Sequence, residues 1–186
     1  MPDEVVTAGA QVQSELHDPA MARDGYEITD ATREDIAGIL DLQEMNLPER
    51  GGVLSVRLTF QWFETALADM PLIVTRKDGR VVGYLVASSV RSQEHIPIVR
   101  GMLEVYPGAP DSYIYGPICV AASERGRGLP ARMFAALRAR TGQRTCFTFI
   151  RRDNTISLRA HAKIGLHEVA EYIFDGKALV IVAETG

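Results

Sequence analysis

The chain is expected to fold as a mixed α/β (α+β) domain, with a central, mostly antiparallel sheet of about seven strands flanked by four helices. The predicted order is β-α-α-β-β-β-α-β-α-β-β. Three observations predict it. From residue 26 onward, short β-rich runs alternate with apolar stripes at helical spacing. The dipeptides Asp78-Gly79 and Asp175-Gly176 each sit between two β-rich runs and mark hairpins. The stretch Glu124-Arg125-Gly126-Arg127-Gly128-Leu129-Pro130-Ala131 joins an apolar run, Tyr113 to Val120, to a helical pattern, Ala131 to Arg140.

Residues 1–25 are polar, lack periodicity and read as a mobile tail, so that 26–186 forms the domain. Tyr26-Glu27-Ile28-Thr29 alternates and starts the first strand. Thr32 offers an N-cap, with Asp35 three residues on as a capping-box partner. Ile36, Ile39 and Leu40 stripe the first helix, which Leu47-Pro48-Glu49-Arg50-Gly51-Gly52 breaks. Val56, Phe60, Phe63 and Leu67 recur at helical spacing and give a second helix ending before Pro71. Leu72 to Thr75 and Val81 to Ala87 form the first hairpin. In 89–111, Pro97 opens a short helix with Ile98, Val99, Met102, Leu103 and Tyr106 on its apolar side, closed by Pro107-Gly108. This segment reads as an insertion over a site or at a dimer contact. After the central strand, Leu129, Met133, Phe134 and Leu137 line a helix capped by Gly142. Thr145 to Ile150 is a strand, and Asn154 or Thr155 caps a helix that stops at Gly165. Val169 to Phe174 and Ala178 to Val182 make the last hairpin.

The 186 residues are enough for one domain with a real core, and 46% hydrophobic content fits a globular protein. A net charge of −4 argues against nucleic acid as a partner. No apolar run reaches membrane-spanning length, and Asp3 and Glu4 stand where a secretory leader would be basic, so a cytoplasmic protein is expected. Cys119 and Cys146 fall in apolar, strand-like runs and read as buried reduced thiols. They lack the spacing or histidine neighbours of a metal site. A homodimer accords with general frequencies of assembly.

The glycine-rich basic turn between strand and helix is a cradle for phosphate. Glycines allow close backbone approach. The open N–H groups of the helix start, with its dipole, attract the anion, and Arg125 and Arg127 add formal charge. The expected ligand carries a pyrophosphate.

Two motifs then resemble the GNAT N-acyltransferase superfamily over roughly residues 26–182. Ile118-Cys119-Val120-Ala121-Ala122-Ser123-Glu124-Arg125-Gly126-Arg127-Gly128-Leu129 is similar to that family's acyl-CoA signature, (R/Q)-x-x-G-x-(G/A), through Arg125 and Gly128. Asn154-Thr155-Ile156-Ser157-Leu158-Arg159-Ala160-His161-Ala162-Lys163-Ile164-Gly165-Leu166 is similar to its N-x-x-(A/S)-x-x-x-Y-x-K-x-G-F helix. Pro130 departs from the first motif and His161 replaces the tyrosine of the second.

The resemblance implies acetyl-CoA as acyl donor, no metal, and a small-molecule or peptide amine as acceptor that attacks the thioester directly. It implies that Arg125, Gly126, Arg127, Gly128, Leu129, Pro130 and Ala131 hold the pyrophosphate. Ile118, Cys119 and Val120 would pair with the pantetheine arm, joined by Asn154 and Ser157, with a backbone N–H near Cys119 serving the oxyanion. His161 becomes a candidate general acid, since imidazole titrates near neutrality. For the base, Tyr115 is a candidate with Tyr113, because both share one strand face. Glu44, Asn46 and Glu49 lie near the first helix-to-helix loop and are also candidates.

Two alternatives carry different chemistry. Gly126-x-Gly128-x-x-Ala131 also satisfies a dinucleotide fingerprint, and Arg151 with Arg152 would suit a 2′-phosphate, giving an NADP-binding protein. A non-catalytic acyl-CoA sensor would keep the cofactor site without turnover.

Overall fold

The computed structural model describes residues 23–184 apart from 53 and 55, so the tail expected over 1–25 lies outside the described residues up to residue 22. The elements run β1 (Tyr26–Asp30), α1 (Ile36–Met45), α2 (Phe60–Asp69), β2 (Leu72–Lys77), β3 (Arg80–Ser89), α3 (Val90–Gln93) and α4 (Pro97–Val105). They continue with β4 (Tyr113–Val120), α5 (Leu129–Thr141), β5 (Cys146–Arg151), α6 (Thr155–Ala162), β6 (Leu166–Phe174) and β7 (Lys177–Glu184). The seven strands form one sheet in the order β1-β2-β3-β4-β5-β7-β6, antiparallel except between β4 and β5. That is the mixed, mostly antiparallel, seven-stranded class the sequence predicts.

Both faces of the sheet are covered, and period-two alternation decides which side chain goes where. On β3, Leu85 and Ala87 point to the face under α5 and α6, where they meet Met133, Phe134, Leu137 and Tyr115. Tyr84 and Val86 point to the opposite face, against Ile36, Ile39 and Phe63 of α1 and α2. Farther along that second face, Val99 and Met102 of α4 pack on Phe147, Ile181 and Tyr172. The Asp-Gly hairpins take the mirror-image turn expected of them, with φ of 49° and 74° at Asp78 and Gly79 and of 48° and 69° at Asp175 and Gly176. Thr32 N donates to Asp35 Oδ2 at 2.7 Å, as the capping-box reading requires.

Two features differ from the sequence expectation. Segment 89–111 holds two helices, which brings the described total to six. The Asp69 carboxylate accepts Ser89 N at 2.8 Å, Ser89 Oγ at 2.7 Å and Ser92 Oγ at 2.7 Å, so the end of α2 fastens the start of α3. α4 then spends its apolar side on the core of β5, β7 and β6, with Tyr172 Oη donating to Ile98 O at 3.0 Å. The second difference is at α2, which starts at Phe60 after the N-cap Thr59, leaving Val56 outside the helix. Phe60 is 37% exposed beneath the Arg33 guanidinium, and only Phe63 of that stripe is fully buried. Among the described residues no helix is long and apolar enough to cross a membrane.

Because Met102 is fully buried between α4 and the sheet, Met102→Ala should cost about 2–5 kcal/mol of folding stability. Urea denaturation measures this; an unchanged midpoint would show that α4 is not part of the cooperative core.

Candidate functional site

β4 and β5 are parallel neighbours for only two residue pairs, Tyr113 with Cys146 and Ile114 with Phe147. Beyond them, β4 stays on β3 as far as Val120 opposite Gly83. β5 stays on β7 as far as Arg151 opposite Leu179. The divergence begins at a bulge. Ala87 faces Tyr115 and Leu85 faces Ile118, so Gly116 and Pro117 together oppose Val86, and this one-residue excess re-aims β4. Gly116 has φ of 97°, open to glycine at no cost, and Pro117 has no N–H to offer a neighbour. The result is a fork. Its closed end is at Ile114 and Tyr115, and one arm is the β4 edge carrying Ile118, Cys119 and Val120. Five residues from Tyr115 to Val120 span about 16 Å in extended chain.

The glycine turn stands at the fork's mouth. Ala122–Glu124 forms a 3-10 turn, Gly126 and Gly128 have φ of 77° and 73°, and α5 starts with Leu129 buried beneath it. The first backbone bond into the helix is Arg132 N to Gly128 O at 3.2 Å. The N–H groups of Gly126, Gly128, Leu129 and Ala131 have no hydrogen-bond partner among the described residues. Pro130 sits in the first turn of α5, where the N–H it lacks would also have been open. This row of donors at a helix N-terminus fits a diphosphate. The row of unpaired strand positions fits an extended arm with amides of its own.

Both arginines of the turn are tied down. Arg125 Nη2 donates to Asn46 Oδ1 at 2.6 Å. Arg127 Nε lies 3.3 Å from Glu124 Oε2. Glu124 also accepts from Tyr26 Oη and from Lys77 Nζ at 3.2 Å, which fastens the turn to β1 and β2. The Tyr26 hydrogen bond, with Lys77, holds the Glu124 carboxyl below the usual carboxylate range.

On the other arm, Asn154 caps α6, its Oδ1 accepting Ser157 N at 3.1 Å and its Nδ2 left to other partners. One turn on, His161 Nδ1 lies 2.8 Å from Ser157 O and 3.3 Å from Ser157 Oγ. A carbonyl only accepts, so Nδ1 carries the proton and Nε2 the lone pair. His161 is 6% exposed, and burial pulls its pKa below the ordinary value, leaving it neutral at pH 7. Its ring meets that of Tyr115 edge to face, with centroids 5.4 Å apart. Tyr115 is 1% exposed and its hydroxyl has no hydrogen-bond partner; burial, then the neighbouring Cys146, pushes its pKa far up. Burial also pushes the Cys119 thiol up to about 12, against the opposing charge of Arg125.

The structure therefore brings Tyr115, His161 and Ser157 together at the closed end of the fork, with 125–131 at its mouth. Tyr113 is not among them: its hydroxyl lies 3.3 Å from Thr141 Oγ1 in the α5 core. Glu44 pairs with Arg57 at 2.8 Å, and Glu49 is exposed. Sequence reasoning missed Tyr26, Gln43, Lys77 and the inward turn of Glu124. Each acts across a long sequence separation, and no local pattern marks it. Arg151 and Arg152 line a hollow of about 410 Å³ with Asp153 and Lys177, but they pair with Asp153, Glu168 and Glu171. The antiparallel sheet around the turn is not the doubly wound parallel sheet of a dinucleotide-binding fold.

A family model described as "Acetyltransferase (GNAT) family" matches residues 36–166. A search of curated proteins gives no match. Among solved structures, an N-acetyltransferase from Staphylococcus aureus Mu50 is similar, with a TM-score of 0.63 and 23% identity over 85% of this chain and 96% of that one. A Salmonella typhimurium protein assigned as an acetyltransferase, solved with its cofactor acetyl-CoA, gives a TM-score of 0.63 and 18% identity over 85% of this chain and 92% of that one. A ribosomal-protein-alanine N-acetyltransferase from Brucella melitensis gives 0.63 and 21% over 84% and 98%. These likenesses support the fold.

Space is open where a Cβ at Gly128 would go, but its φ is that of a left-handed residue. Gly128→Ala and Gly128→Glu therefore share a backbone cost of about 1–2 kcal/mol, and only the second brings a carboxylate to the mouth. Coenzyme A affinity by calorimetry should fall at least about tenfold further in Gly128→Glu than in Gly128→Ala, with both folded by circular dichroism. Equal affinities would remove the phosphate assignment.

Proposed function

The chain belongs to the acetyltransferase (GNAT) family, and on that premise we propose that it moves an acetyl group from acetyl-CoA to a primary amine by direct attack of the amine on the thioester. The observation that carries this is the fork. Its mouth offers open N–H donors for the diphosphate, one arm offers unpaired strand backbone for the pantetheine, and its closed end holds an imidazole. Bound there, acetyl-CoA supplies an activated acyl carbon. Ile118, Cys119 and Val120 align the arm, Arg125 to Ala131 hold the phosphates, and Asn154 and Ser157 flank the other side through the α6 N-terminus.

His161 manages the proton. Its Nδ1–H is engaged by Ser157 O, so Nε2 is free to accept. As the C–N bond forms, the nitrogen's proton passes to Nε2. As the C–S bond breaks, the imidazolium returns that proton to the thiolate sulfur. His161 thus acts as base first and acid second: starting from the neutral amine, one proton passes from nitrogen to sulfur and none is gained or lost at the site. Tyr115 ionises too far above neutral pH to serve as base. It forms the wall that keeps the imidazole in place. A backbone N–H near Cys119 receives the oxyanion, a contact of the kind worth about 3–4 kcal/mol of barrier. Buried free thiols at Cys119 and Cys146 support a reducing, cytoplasmic setting.

The acceptor class is a small-molecule or peptide amine. Because one structural neighbour is a ribosomal-protein-alanine N-acetyltransferase, the assay should follow thiol release from acetyl-CoA across both small amines and peptides with N-terminal alanine. Coenzyme binding with no amine-dependent thiol release from any of them would favour a sensor and sink the transferase reading. With a productive amine, His161→Phe should lower kcat by about 100-fold or more while leaving the donor KM nearly unchanged. The lowered pKa of His161 keeps the neutral, competent form through neutrality. Wild-type kcat should therefore fall only on the acid side, below about 6.5, and this limb should be absent from His161→Phe. An acid limb identical in both would assign the proton transfer elsewhere.

A further inference from the structure

α1 buries two side-chain amides where an apolar residue would pack more cheaply. Gln43 is 3% exposed and Asn46 is 4% exposed. Buried amides are tolerated when hydrogen-bonded, and both of these are bonded at each end. Gln43 Nε2 donates to Leu58 O at 2.9 Å, and Leu58 N donates to Gln43 Oε1 at 2.9 Å, so the amide stands in for a strand neighbour. Asn46 Nδ2 donates to Leu42 O at 2.8 Å, while Asn46 O accepts Leu54 N at 3.0 Å. A Cβ built on Gly52 would fall 1.8 Å from Asn46 O, so the chain after α1 folds closely over this one residue. The remaining atom, Asn46 Oδ1, takes the Arg125 guanidinium at 2.6 Å.

The chemistry of that last bond differs from its neighbour's. Arg127 is matched by a carboxylate, Glu124. Arg125 is matched by a neutral carbonyl, which aims the guanidinium without cancelling its charge, and the planar fork has five donors of which Asn46 takes one. We propose that Asn46 is a positioning residue that makes the phosphate turn and the α1–α2 connection one mechanical unit. A diphosphate drawn against Arg125 then tightens Asn46, and with it the backbone that Asn46 holds at Leu54. Occupancy of the coenzyme site would in this way set the shape of the wall on the α1 side. The proposal rests on the phosphate assignment made above.

The test uses coenzyme A itself and follows exchange of the Leu54 amide by NMR. In the wild type, saturating coenzyme A should slow that exchange at least tenfold. Arg125→Leu, measured at a coenzyme A concentration that saturates the variant, should abolish the response. Asn46→Leu should abolish it too, while coenzyme A still binds about tenfold more weakly. Asn46→Asp, which keeps an oxygen for Arg125, should restore the exchange response at saturating coenzyme A but at lower affinity, because its carboxylate cancels the charge that the amide leaves free; a role in folding alone predicts that Asp and Leu behave alike. If the wild type binds coenzyme A and Leu54 exchange is unchanged, or if Arg125→Leu still responds, the coupling is overturned and the function stands. If the wild type does not bind coenzyme A, both fall.

Discussion

Two parallel strands that pair for two residues and then part are the constraint on which the rest of the site depends. A strand edge inside a protein presents N–H and C=O groups that must find partners, and leaving them unmet is costly. Here β4 is held on one side by β3 up to Val120, so it cannot follow β5. β5 is held by β7 up to Arg151, so it cannot follow β4. Gly116-Pro117 supplies the extra length on β4 that lets both attachments persist. The fork is thus built into the covalent chain and held open by the outer strands. An extended arm with amides of its own would complement the backbone that the two strands turn toward each other.

Charge at the mouth follows from the same fastening. Glu124 is one carboxylate among three cations, Lys77, Arg125 and Arg127, so the turn stays positive in a chain whose net charge is −4. Its carboxylate binds Tyr26 Oη on β1 and Lys77 on β2, so the turn is fixed to the far strands of the sheet. Arg127 shares the Glu124 carboxylate with Lys77; Arg125 is aimed by a neutral amide. Attraction for an anion comes from the open N–H groups and helix dipole first, with Arg125 as the directed formal charge. The sequence shows two arginines of equal promise in this turn; their partners make them unequal.

That difference explains what was legible and what was not. Elements whose cause is local could be read: the mirror-image turns at Asp78-Gly79 and Asp175-Gly176, the Thr32–Asp35 cap, the glycine stop at Gly142, and the turn-to-helix cradle at 125–131. Elements whose cause lies far along the chain could not. Gln43 looks like the solvent face of an amphipathic helix, and Asn46 is legible only as a candidate beside the first helix-to-helix loop, because their partners are Leu58 and Arg125. α3 depends on Asp69, twenty residues before its N-cap. Val56 falls in phase with the α2 stripe by chance, since Thr59 caps the helix after it. Tyr113 and Tyr115 share a face as alternation demands, yet only Tyr115 reaches the imidazole, because Tyr113 is spent on Thr141. Periodicity gives the face of a residue and leaves its neighbour along that face undecided.

The replacement of tyrosine by histidine in the α6 motif has a physical logic of its own. A phenol at that position would carry one exchangeable proton and could only deliver it. An imidazole has two nitrogens, and in this chain the helix itself assigns them. Ser157 O, one turn back, takes Nδ1–H at 2.8 Å and thereby fixes the lone pair on Nε2. The tautomer is a property of α6 and needs no other side chain. α6 is in turn positioned at its start by Asn154, whose cap on Ser157 N places the residue that supplies that carbonyl. A short helix therefore links the residue that flanks the fork to the nitrogen at its closed end. Burial against Tyr115 keeps that nitrogen unprotonated at neutral pH. A site so arranged would begin ready to receive a proton, as the base role proposed for His161 requires.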